Sequence, residues 1–319
     1  MTSPLLSLPG AVAGDGVDAS VAAHYGSFNT EQRALAKGEG FVDLSHREVF
    51  TVTGPDRLTW LHSLTTQHLT HLAPDTPTQT LILDPNGRVE HHFHLVDDGE
   101  TVTAHTEPGR GEALTTWLDR MRFMSRVEVA LDANKAVCWR ASGKYNVLTK
   151  ADLETYAQAA GPAAGLWAFE ALRIERGEPR IGIDTDERTI PNEVGWIGAS
   201  TGAGPSESAV HLDKGCYRGQ ETVARVHTLG RPPRRLTLLH LDGSENRLPP
   251  QKAEITFNGR SVGVLGSSAR HHELGPIALA LVKRNVPLDA TLEVDGMPAT
   301  QEVIVDPEVG LHVRPKLGG

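Results

Sequence analysis

The sequence predicts an α+β fold followed by a compact all-β module. Three observations carry this. Helical and strand-like stretches are interspersed without a regular βαβ alternation up to about residue 230. Beyond it, about six short strands with hairpin turns fill roughly 85 residues, the texture of a small barrel or sandwich. Between them lies Arg231-Pro232-Pro233-Arg234-Arg235, which suits a semi-rigid hinge. The expected division is a flexible lead-in over 1–20, a mixed region over 21–231 and the β module over 232–319. The lead-in rests on a Gly, Pro, Ala and Ser-rich composition without amphipathic period, so structure is expected to begin near His24.

Taken in order, Val49 to Thr53 reads as a strand, and Gly54-Pro55-Asp56 opens a helix whose apolar face holds Leu58, Leu61, Leu64 and Leu72, closed by Pro74 and Pro77. Leu81 to Leu83 and Val89 to Val96 flank Asp84-Pro85-Asn86-Gly87, a hairpin signal because Asn-Gly accepts positive φ. Asp97-Asp98-Gly99 repeats the device before Thr101 to Ala104. A helix over 111–123 and strands near 127–129 and 137–139 follow, then helices near 151–160 and 165–176, the last ending at Gly177. The stretch 198–208, Gly, Ala, Ser and Pro-rich, reads as a mobile loop. The C-terminal strands are 236–241, 254–257, 261–265, 277–282, 291–294 and 302–305, with turns at Asn258-Gly259 and Asp295-Gly296.

The chain has 319 residues and a formal charge of −9, with 39% hydrophobic and 22% charged residues, an ordinary globular composition. That charge argues against stable nucleic-acid binding, which needs a broad excess of Lys and Arg. Two cysteines make no disulfide framework and fit a reducing compartment. Cys138, in an apolar strand-like run, reads as a small buried hydrophobe. The N-terminal residues show no basic n-region and only a short Leu5-Leu6 apolar patch, and no apolar run approaches the ~20 residues that span a bilayer, so a cytoplasmic location is expected and no membrane partner.

Lys214-Gly215-Cys216-Tyr217-Arg218-Gly219-Gln220-Glu221 carries most of the chemistry. It sets a cysteine between two cations that favour the thiolate and two glycines that permit tight turns or close approach. Cys216 is therefore the expected reactive group, with Lys214 assisting it. Residues 213–235 hold six cations against Asp213 and Glu221, a basic island of +4.

Three segments point to one family. Phe41-Val42-Asp43-Leu44-Ser45-His46, then Leu172-Arg173-Ile174-Glu175-Arg176-Gly177 with Pro179, then the cysteine octapeptide, resemble the folate-binding relatives of the glycine-cleavage T-protein. The octapeptide resembles the signature of the YgfZ branch, associated with iron–sulfur enzyme maintenance and tRNA modification. The resemblance covers roughly residues 24–319. It implies a T-protein-like folate-binding core of two interlocked α+β modules, with tetrahydrofolate or a folate derivative as cofactor, and a C-terminal β-barrel. The partners it implies are a reduced folate and iron–sulfur client enzymes.

By the same resemblance Glu175 binds the pterin, whose adjacent donors suit a carboxylate, and Arg173, Phe169, Arg47, Tyr217 and Gln220 join the cofactor site. Phe169 and Trp167 are candidates to stack on the pterin or to pack in the core. One departure matters. Where aminomethyltransferases resemble Gly-Gly-Val-x-Asp-Asp, this chain reads Gly87-Arg88-Val89-Glu90-His91-His92, replacing an essential carboxylate by an imidazole. Aminomethyl transfer to folate is therefore the alternative reading rather than the first; a folate-independent module with a structural Cys216 is the third. His62, His68, His71, His91, His92, His94, His271 and His272 raise a metal site, but no Cys or carboxylate falls at ligand spacing and none is expected. With two cysteines, a resident iron–sulfur cluster is not expected either. The basic island is expected to receive the folate's glutamate tail.

Overall fold

The computed structural model describes residues 2–198 and 208–312; the expected mobile loop at 198–208 falls almost wholly outside them. The chain opens with a short hairpin, β1 (Val12–Ala13) and β2 (Ala22–His24), and helix α1 (Phe28–Ala36). Two sheets are then built from alternating passes. One takes β3 (Phe41–Asp43), β9 (Lys135–Arg140), β10 (Lys144–Thr149) and β11 (Ala163–Ala164), in the order β10-β9-β3-β11. The other takes β4 (Glu48–Thr53), β5 (Thr78–Leu83), β6 (Val89–Asp97), β7 (Thr101–Thr106) and β8 (Glu128–Leu131), in the order β5-β6-β7-β4-β8. The chain crosses from one sheet to the other between β3 and β4 and back between β8 and β9, so the two α+β modules are interlocked. Helices α2 (Arg57–Leu64) and α3 (Gly111–Arg120) belong to the second module, and α4 (Leu153–Ala159) and α5 (Leu166–Glu175) to the first.

Helix α6 (Gln220–Leu229) leads into a closed barrel of β12 (Arg234–Leu241), β13 (Glu254–Phe257), β14 (Arg260–His271), β15 (Gly275–Lys283), β16 (Leu292–Val294) and β17 (Met297–Val303). The turns Asn258-Gly259 and Asp295-Gly296 hold both residues at positive φ (52° and 70°, 51° and 78°), which two-residue hairpin turns require.

Three expectations are corrected. The lead-in is not loose: Leu5 is 1% exposed, Ser3 Oγ donates to Asp43, and Asp18 accepts from Arg180 at 3.0 and 3.2 Å and contacts His46 at 3.0 Å. These are single anchors without periodicity, which composition does not reveal. Helix α2 stops at Leu64, well before Leu72, because Thr66 leaves to pair its N–H with Leu81. Leu72 packs in the same core cluster from beyond the helix. Helix α6 was not foreseen; it begins inside the cysteine octapeptide.

If Asp18 anchors the lead-in, Asp18→Asn should lower unfolding stability in urea by about 1.5–3 kcal/mol, the range for losing a hydrogen bond to a charged group. An unchanged midpoint would restore the loose lead-in.

Candidate functional site

A cavity of about 960 Å³ lies between β6, β7, the β9–β10 hairpin and the end of α5. Strand alternation builds one wall. On β6, Phe93 and Leu95 enter the core beside Phe50, so His92 and His94 take the opposite face. Register pairs His94 with His105 of β7, and their rings stack at 5.1 Å. Tyr145 closes over both at 4.7 and 4.8 Å, with the Arg47 guanidinium 5.2 Å from its ring centre.

Burial keeps these imidazoles neutral. It pushes His92 down to about 4, with Arg47's charge adding to the effect, and pushes His94 and His105 well below the ordinary histidine value. His92 meets Gln79 at 2.9 Å, whereas neither ring nitrogen of His105 has a hydrogen-bond partner among the described residues. Buried polar atoms without partners are what a ligand satisfies.

Glu175 ends α5 at the cavity, its side chain 43% exposed and 3.3 Å from His271 on β14. The contact is an approach between the two groups without hydrogen-bond alignment at the imidazole nitrogen. Burial lowers His271's pKa despite Glu175, so the pair carries little ionic character. A carboxylate at a helix C-terminus is disfavoured by the helix dipole, and its local partner is weak. Trp139 and Tyr145 supply aromatic wall, and Lys144 and Arg176 supply cations; the Arg176 guanidinium stands 5.5 Å from the Trp139 ring centre.

Among the expected cofactor residues, only Glu175 lines this cavity. Arg173 is corrected: it donates to Glu170, Asp184, Ser267 and the Glu178 carbonyl, which uses every guanidinium nitrogen internally. Phe169 is core, 5.3 Å edge-on to Trp139. Arg47 lies buried beneath, 3.0 Å from Glu107. Tyr217 is packed in the apolar cluster beside the barrel, and Gln220 opens α6 with its amide 3.4 Å from the Lys214 carbonyl. Trp167 is half exposed, against His24 and Phe28. Sequence reasoning missed His105, Tyr145, Trp139, Lys144 and Gln79, which only strand register brings together.

Cys216 is exposed, and it lines neither this cavity nor the other large one. Lys214 is corrected as its assistant. Its ammonium is buried against the carbonyls of His62 and Thr65 at the end of α2, where a cation complements the helix dipole, and burial lowers it to about 8. Arg218 is paired with Glu90 at 3.1 Å. Of the two glycines, Gly219 is the constrained one. At φ 80° it abuts Gly87, and a Cβ on it would stand 2.5 Å from the Asp84 carbonyl. Gly215 meets nothing.

The basic island also disperses. Arg235 is buried against barrel carbonyls and Gln301, Arg234 is held by Asp186 and Glu193, and Arg231 pairs with Glu308. Four of the island's arginines are thus held by internal partners rather than gathered for a glutamate tail. Among the described residues no three His, Cys, Asp or Glu side chains gather as a metal site, and no helix is long and apolar enough to cross a membrane.

Comparison with known proteins fits this architecture. Residues 234–304 match the model of the CAF17 C-terminal beta-barrel domain. The chain is 25% identical to a putative chloroplastic transferase of Arabidopsis thaliana, At1g60990, over 76% of this chain but only 65% of that protein, just under two thirds of its length. It is 26% identical to the mitochondrial iron-sulfur cluster assembly factor IBA57 homolog of Pyricularia oryzae, over 82% of this chain and 75% of the relative. It is 25% identical to an aminomethyltransferase of a Thermotoga species, over 85% of each. The solved glycine cleavage system aminomethyltransferase T from Bartonella henselae superposes with a TM-score of 0.76 over 96% of each chain at 17% identity. The fold is thus that of the T-protein aminomethyltransferases. Within that class its sequence is similar both to iron-sulfur cluster assembly factors of the IBA57 type and to aminomethyltransferases.

The neutral histidines set a pH dependence. Their folded pKa values lie below the unfolded ~6.5, so the unfolded chain binds protons that the folded chain refuses. Stability should be full above about pH 6.5 and fall toward pH 4, by up to ~1.4 kcal/mol per pH unit for each histidine. Glu107, depressed to about 2 by Arg47 and Arg180 against its burial, adds its own loss only below its usual 4.5. Urea titrations at pH 7, 6 and 5 should show the slope, and His94→Gln with His105→Gln should flatten it. Constant stability over that interval would contradict the neutral cluster.

Proposed function

We propose that this chain binds a reduced folate in the 960 Å³ cavity and supports iron–sulfur cluster assembly or repair, tRNA-modifying enzymes among its clients, through Cys216. The observation that carries the folate reading is Glu175. It is a weakly partnered carboxylate set between aromatic walls in a cavity whose histidines are neutral. Its two oxygens complement the adjacent donors on a pterin edge. Trp139 and Tyr145 offer ring faces, the unpartnered nitrogens of His105 offer hydrogen bonds, and Lys144 and Arg176 offer charge to a glutamyl carboxylate. Bound folate would supply one-carbon chemistry; the protein's own share is to hold the pterin and exclude water. The process is supported by the similarity to iron–sulfur assembly factors.

Aminomethyl transfer fits less well. It wants a fixed negative charge beside the one-carbon unit, and β6 instead offers His91 and His92, each depressed to about 4 by burial and so uncharged at neutral pH. Because Cys216 lies outside the cavity, its thiol meets a partner protein rather than the cavity's occupant.

Two measurements test the reading. Glu175→Ala should weaken tetrahydrofolate binding by about 1.5–3 kcal/mol in calorimetry, the range for losing a hydrogen bond to a charged group; unchanged affinity removes Glu175 from the site. Cys216→Ser should leave the melting temperature within about a degree, since an exposed side chain contributes little to the core, while iron–sulfur enzyme activities fall in cells relying on the variant. A large drop in melting temperature would assign Cys216 a structural role.

A further inference from the structure

A second cavity, of about 1220 Å³, lies between the start of β6, α3, the 181–187 segment after α5, and β14 and β15 of the barrel. The reading above gives it no role. Its charges are unevenly matched. Four of its five carboxylates are taken up by the protein. Asp84 accepts from the amides of Asn86 and Arg88, Glu90 pairs with Arg218, Asp184 with Arg173 and Ser267, and Asp186 with Arg234. Glu187 has no hydrogen bond or ion pair among the described residues. On the positive side, Arg88, Arg110, Arg120 and Lys252 line the cavity, and none of these side chains has a hydrogen bond or ion pair among the described residues.

Arg110 is the telling one. It is half-buried where α3 begins, and its guanidinium lies over Gly182, where φ is 81° and a Cβ would stand 2.3 Å from Nη2. The absence of a side chain at position 182 is what lets the cation occupy that place. Glu107 attracts it only from a distance, and a partly desolvated guanidinium without a direct ion pair is costly. Beside it His91 lines the cavity, its Nδ1 buried and without a partner among the described residues. Val89, Ile181 and Leu265 supply apolar wall.

We propose that this cavity is an anion site separate from the Glu175 cavity, taking a small molecule with phosphate or clustered carboxylate groups, with Arg110 at its centre. Arg88, Arg120 and Lys252 add long-range attraction, and His91 adds one hydrogen bond. Occupancy supplies the direct ion-pair partner that Arg110 lacks among the described residues.

The test uses the full chain, with pyrophosphate, citrate and triglutamate as probes in calorimetry and thermal unfolding at low and moderate salt. The expected result is saturable binding of at least one probe that raises the melting temperature. Arg110→Gln should weaken it tenfold or more while leaving the unliganded protein as stable as before or more so. The exposed Lys252→Gln, which carries no folding risk, should weaken it a few-fold. Glu175→Ala should leave it unchanged, so the outcome is independent of the folate reading. Preference for pyrophosphate assigns a phosphorylated ligand; preference for citrate or triglutamate assigns a polycarboxylate. No binding of any probe, or equal binding by the wild type and both cation variants, overturns the proposal.

Discussion

A buried ionic network around Arg180 and Arg173 is the constraint on which the rest of the structure depends. Arg180 reaches Asp18 of the lead-in at 3.0 Å, Glu107 after β7 at 2.7 Å and Glu170 of α5 at 3.3 Å. Arg173 binds the same Glu170 and also Asp184, which accepts from Ser267 of the barrel at 2.7 Å. Gly266 permits that last contact, since a Cβ there would stand 2.3 Å from Asp184. Taking so many charges out of water gives little net stability, but leaving one unpaired costs about 3–5 kcal/mol. The network therefore works as a register pin. It admits one arrangement of lead-in, modules and barrel, and both large cavities take walls from the elements so fixed.

The two cavities differ in electrostatic character. Around Glu175, burial strips the histidines of charge, leaving a weakly partnered carboxylate beside neutral imidazoles and aromatic rings, with Lys144 and Arg176 at the wall. Around Arg110, the wall's carboxylates are mostly matched internally and the cations are left over. β6 serves both, because alternation sends His92 and His94 one way and His91 the other. A single strand thus separates two cavities of opposite electrostatic character.

Elements set by local chemistry were legible in the sequence. The turns at Asn258-Gly259 and Asp295-Gly296 need positive φ, and the barrel strands follow from them. Cys138 is fully buried on β9, as its apolar neighbours require. What was not legible depended on distant partners. Nothing local distinguishes Arg173 as a network hub from Arg173 as a ligand residue, since its partners Asp184 and Ser267 lie 11 and 94 positions away. His105 and Tyr145 enter the site through strand pairing across residues that carry no shared motif. Glu175 was singled out only by resemblance, because a glutamate ending a helix looks like any exposed one until the cavity beside it is seen.

The octapeptide makes the same point in reverse. Its cations and glycines were read as the means of activating Cys216, yet each conspicuous one has a mechanical task. Lys214 caps α2, Arg218 fastens to Glu90 of β6, and Gly219 closes against Gly87 in the β5–β6 turn. Three attachments to two elements of the second module hold a short segment whose cysteine faces outward. An exposed thiol on a loose loop spends most of its time misdirected, whereas one on a pinned segment is presented in a single orientation. The motif's composition then follows from positioning: Lys214, Arg218 and Gly219 fix the platform on which Cys216 is exposed.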